Sequence, residues 1–168
     1  MIKKLAVVSL CLVFILGSLA SAAPKPKLSG GKNMKSELEA AYNSLRKAIS
    51  DKKYDALSNI LEPAKNGIKI PPKEKLNDEA WGGLLEIFQD LSTTKFIKVE
   101  QKGDWAGYYM LTDVDDPNYI TIDLLKFHKV GGKWKVSGSR FSSSIQKEGD
   151  ATKAIEQEIK NNPGFKLP

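Results

Sequence analysis

Cysteine is almost missing from this 168-residue chain: Cys11 is the one instance, and it lies inside an apolar run near the N-terminus. A cysteine in such a run serves as a small hydrophobe. Leu10 precedes it, and lipid attachment needs small residues there. The rest of the chain has no thiol. Disulfides and thiolate nucleophiles are therefore excluded, and stability must come from an apolar core. Histidine is equally scarce, with His128 alone. One imidazole without an evident partner does not make a catalytic site. A phosphate loop is missing too. Gly131-Gly132-Lys133 runs into Trp134, where a Walker-type loop needs GxxxxGK[ST] between strand and helix. Twenty-six Lys and Arg stand against 20 Asp and Glu, for a net charge of +6, and the lysines are scattered. No basic stripe with interleaved aromatics is visible, so no nucleic-acid partner is expected.

The N-terminus carries an address. Lys3 and Lys4 precede an apolar run over residues 5–19, and Ala20-Ser21-Ala22 is a small-x-small cleavage site. The run is too short for a membrane anchor and reads as a secretory signal peptide over residues 1–22. The expected product is exported, periplasmic or secreted, with no membrane span after cleavage. Residues 23–35, rich in Pro, Gly, Ser and Lys, read as a flexible linker. One α+β domain is expected over residues 36–147, with a short C-terminal helix and tail over residues 148–168.

Within the domain the periodicity changes once. Ser36 and Glu39 form a capping-box pattern, and Leu38, Tyr42, Leu45 and Ile49 recur at helical spacing. Tyr54, Leu57 and Leu61 mark a second short helix that Pro63 stops. Residues 67–70 predict a short strand. Asn77 or Asp78 caps a third helix whose stripe is Trp81, Leu84, Leu85, Phe88 and Leu91. Gly82-Gly83 inside it costs roughly 1 kcal/mol per glycine, a cost tolerated where another backbone approaches. Beyond Thr94 the period falls to two. Strands are predicted over residues 95–102, 105–114, 119–130 and 133–145, with Gly131-Gly132 as a type I′ hairpin signal. Apolar parity switches at Leu124-Leu125, which predicts a β-bulge there.

Three helices, a short strand and then a long antiparallel meander, ending in the residue 131–136 hairpin, make an element order that resembles the nuclear transport factor 2-like superfamily. The resemblance covers about residues 35–145 and is not carried by a catalytic motif. It implies N-terminal helices packed on a curved antiparallel sheet, shaped as a cone whose open end is a pocket. The superfamily includes ketosteroid isomerases, scytalone dehydratases and polyketide cyclases as well as binding modules, so the fold does not choose a function.

By strand parity the pocket candidates are Tyr109, Met110, Ile122, Phe127, Trp134 and Arg140. Arg140 faces either outward on a Ser-rich strand or inward, where it needs an anionic ligand or a buried carboxylate. Asp123 and His128 are expected to face solvent. Residues 113–118 have calcium-like oxygen spacing without the central Gly and distal Glu of such a loop. No metal, cofactor or catalytic residue is assigned. The expected function is an exported non-catalytic module binding a small apolar or amphipathic ligand or a protein partner. One alternative is an isomerase, dehydratase or cyclase using Tyr108 or Tyr109 with an Asp. Another is a structural homodimer formed through the outer face of the sheet.

Overall fold

A computed structural model describes residues 32–65, 67–112, 116, 118–147 and 149–168. The expected signal peptide, most of the linker and, in the calcium-like stretch, residues 113–115 and 117 lie outside the described residues. The chain is α+β. Its helices are α1 (Lys32–Ser50), α2 (Tyr54–Ile60), α3 (Asp78–Ile87) and α4 (Ala151–Asn161). Its strands are β1 (Leu61–Glu62), β2 (Lys95–Lys102), β3 (Trp105–Thr112), β4 (Tyr119–Val130) and β5 (Lys133–Gln146). The sheet is open and mixed, in the order β1-β5-β4-β3-β2. The β2-to-β5 meander is antiparallel, whereas β1 pairs with β5 in parallel.

Several local expectations change. Helix α1 already begins at Lys32, so Ser36 and Glu39 lie inside it rather than capping it. Residues 67–70 do not form a strand. The short strand is β1, and the chain after it runs past β5, with the Ile68 amide donating to the Gly138 carbonyl at 2.9 Å. The two backbones nearly touch there. A Cβ on Gly67 would meet the Gly138 oxygen at 2.3 Å, and one on Gly138 would meet the Ile68 oxygen at 2.5 Å. Gly82 and Gly83 are different: nothing lies within 4 Å of an added Cβ at either, so no close backbone approach explains them. Gly131 and Gly132 both take positive φ, 57° and 79°, as the hairpin signal required.

A core lies on each face of the sheet. On the inner face α1, α2 and α3 pack Leu38, Tyr42, Leu45 and Trp81 against Tyr108, Met110, Leu125 and Phe127. On the outer face α4 and the turn Pro163–Phe165 close a second core over Tyr109, Ile120, Ile122 and Leu124. Residues 149–168 are therefore part of the fold. Double coverage also explains the parity switch on β4. The register between β3 and β4 runs without interruption from Trp105↔His128 to Thr112↔Thr121. Ile120, Ile122 and Leu124 serve the outer core, and Leu125 and Phe127 serve the inner one, with no bulge in β4. The irregularity sits in β5, where Ser137, Gly138 and Ser139 stand opposite Lys126 alone.

Candidate functional site

Parity on an unbroken β4 turns Asp123 inward, beside Leu125 and Phe127. Its side chain is fully buried rather than solvent-facing. Burying a carboxylate is costly unless it is paired and hydrogen-bonded, and here it is both. Arg140 on β5 donates from Nη2 to Oδ2 at 2.6 Å and from Nε to Oδ1 at 3.2 Å. Thr112 on β3 donates to Oδ2 at 2.7 Å, and the Ser142 hydroxyl donates to Oδ1. Arg140 thus points inward to a buried carboxylate, not outward. The Leu125↔Arg140 register beside the β5 irregularity aims it across the face to Asp123.

The same guanidinium reaches the helices. Its Nη1 donates to the Ile87 carbonyl at 3.1 Å. Arg46 Nε donates to the Phe88 carbonyl at 2.9 Å, and the Tyr42 hydroxyl donates to the Gln89 carbonyl at 3.0 Å. A helix leaves its last carbonyls without intrahelical donors. At the end of α3, two cations and a phenol supply them, in the sense the helix dipole favours. Burial pushes the Tyr42 phenol up to about 12. Arg46 also pairs with Asp90 at 2.6 Å. The Asp90 carboxyl is lowered to about 2, first by the Ser92 amide and then by Arg46.

The six pocket candidates separate between the faces. Met110, Phe127, Trp134 and Arg140 belong to the inner side, with Met110 directly opposite Asp123. Met110 and Phe127 are packed to about zero exposure. Trp134 donates from Nε1 to Glu37 at 3.0 Å, and Lys129 lies over its ring. Tyr109 and Ile122 belong to the outer core and cannot line the same pocket. Tyr109 donates to Glu100 at 2.9 Å and to the Phe165 carbonyl at 2.8 Å. Tyr108 faces inward, but its hydroxyl donates to Glu39 at 2.8 Å. Both phenols are raised well above the ordinary tyrosine value, by burial first and by these carboxylates second.

His128 is neither free nor fully exposed. Its Nδ1 lies 2.9 Å from Glu62 of β1, and its ring stacks on Trp105 at 4.4 Å with an 8° interplanar angle. The sequence pattern missed Glu62 because the parallel β1–β5 pairing that delivers it is non-local. Thr112 and Ser142 were missed because Asp123, which they bind, is expected on the other face of β4.

Chemically, the Asp123 cluster is a closed polar knot set in an apolar inner face. Both Asp123 oxygens accept two hydrogen bonds each, which leaves no lone pair suited to a general base. Among the described residues no group of His, Cys, Asp and Glu is arranged to hold a metal ion. No described helix is long and apolar enough to cross a membrane. No protein-family model matches the sequence, and no curated protein matches it either.

Proposed function

We propose that this chain is an exported, non-catalytic binding module of the nuclear transport factor 2-like type, with the inner sheet face and the helices as the walls of its cone. The export reading rests on the n-region, apolar run and Ala20-Ser21-Ala22 site. The family reading rests on the order of three helices, a short strand and a meander. One observation carries the non-catalytic reading: among the described residues, the buried acid and the phenols of the inner face are already engaged. Asp123 is held by Arg140, Thr112 and Ser142, Tyr108 by Glu39, and Tyr42 by the α3 terminus. Tyr109 stands on the opposite face from Asp123, and Tyr108, on the same face, donates to Glu39; both count against the Tyr-Asp pair of the enzyme alternative.

The ligand class is small and amphipathic, and its seat is the rim of the cone rather than its depth. Met110 and Phe127 are sealed, whereas Ile87 is 41% exposed and its carbonyl accepts from the partly exposed Arg140. Native mass spectrometry of protein purified from its own host tests the reading. The expected spectrum shows a co-purified small molecule that Ile87→Asp releases. An activity found in a substrate panel and lost in a folded Asp123→Asn variant would overturn it.

A further inference from the structure

The outer face has a second half that α4 leaves uncovered and the tail reaches only through Leu167, beside Gly107 and Lys102. One cross-strand row runs over it: Lys135 on β5 is opposite His128, His128 is opposite Trp105, and Trp105 is opposite Lys102 on β2. Directly opposed residues share a face, and strands are about 4.8 Å apart, so the row is roughly 14 Å long. Lys126 adjoins it on β4, and Lys133 adjoins it on β5, opposite Val130. Lys126, Lys133 and Lys135 have no carboxylate partner among the described residues. Partial burial lowers the Lys126 ammonium below the ordinary lysine value. The acids of the same face are spoken for: Glu62 pairs with His128, and Glu100 with Lys98 and Tyr109. Lys102 Nζ donates to the Leu167 carbonyl and keeps its charge. Four of the lysines that look scattered along the sequence are gathered here around an indole–imidazole stack.

We propose that this row is a docking strip for an anionic glycan, a chain of sugar rings bearing carboxylates. Two properties point to that chemistry together. The unpaired lysines call for negative charge, and Trp105, partly exposed with one ring face on His128, calls for a partner with an apolar ring face. A lipid surface fits less well, because Val130 is the sole large apolar side chain standing exposed beside the row and cannot anchor the sheet. An acidic peptide would use the lysines and leave Trp105 idle. The proposal stands on this face alone and is independent of the cone reading.

Titration calorimetry of the full chain with oligogalacturonate at low ionic strength tests it. Saturable binding is expected, weakening as salt rises, with a neutral dextran oligomer inert. Lys133→Glu with Lys135→Glu should lower the affinity about tenfold or more, since two attractive contacts become repulsive. Trp105→Leu should lower it by about tenfold, the order of a lost stacking contact. Equal melting temperatures show that the fold survives, and Lys35→Glu on the inner side serves as a charge control without effect. Absence of oligogalacturonate binding overturns the proposal. So does affinity unchanged by Trp105→Leu, or tighter binding to oligothymidylate or to phosphatidylglycerol vesicles.

Discussion

The two faces of the sheet are held by different physics. On the inner face the centre is a charge pair with its hydrogen bonds, clamping β3, β4 and β5 to the end of α3. On the outer face the covered half is apolar: Ile120, Ile122, Leu124, Phe141 and Phe165, with Tyr109 as its polar handle. A charge network is directional and fails when one member is removed. An apolar core is non-directional, and its losses scale with the volume deleted. The inner face thus adds an all-or-none fastening to its own apolar core, while the outer core is graded alone.

Removing one end of the charge pair should separate the two most sharply. Arg140→Met leaves Asp123 buried without its cation and should cost about 3–5 kcal/mol in denaturant unfolding. Adding Asp123→Leu to it should recover about half of that loss, because no buried charge then remains. A simple sum of the two single costs would show that the inner face behaves like the outer one. On the outer side, Phe165→Ala should cost about 3 kcal/mol. It should add to Ile159→Ala less any term from shared contacts.

Alkaline pH probes both faces with one reagent. Tyr42 and Tyr108 face inward and Tyr109 outward, and all three phenols are raised above 10.0. Their neutral forms are favoured in the folded state. Their stabilising effect is therefore complete below the unfolded value near 10.0 and is lost as pH rises through the folded values. Stability should hold to about pH 10 and then fall, with tyrosinate absorbance appearing together with unfolding. Tyr109→Phe should flatten that fall. The smallest effect is a gain: Gly83→Ala, in open space within α3, should stabilise by up to about 1 kcal/mol. The same change at Gly138 should destabilise, since its added carbon meets backbone.

Much of the architecture was legible. The four long strands, the Gly131-Gly132 hairpin and α4 with its Ile155 and Ile159 anchors follow from local periodicity and turn chemistry. The site was not legible, and the reason is a single feature of β4. Alternation identifies a face when one side of a strand is wet. Residues 120–125 are covered on both sides, so the apolar run carries no direction, and a change in which helices do the covering looks like a bulge. Asp123 was assigned outward on that ground. Arg140 is different: an inward arginine called for a buried carboxylate, and Asp123 is that carboxylate. Glu62 could not be paired with His128 because they meet through contacts from distant parts of the chain.

The contact of Gly67 with Gly138 bears on the order of folding. Strands β2 to β5 join neighbours in sequence and can zip as successive hairpins, whereas Leu61 must find Val136 across most of the domain. Such long-range closure is entropically slow. The β1 segment is therefore expected to dock after the folding barrier. Gly67→Ala should speed unfolding and leave the folding rate almost unchanged.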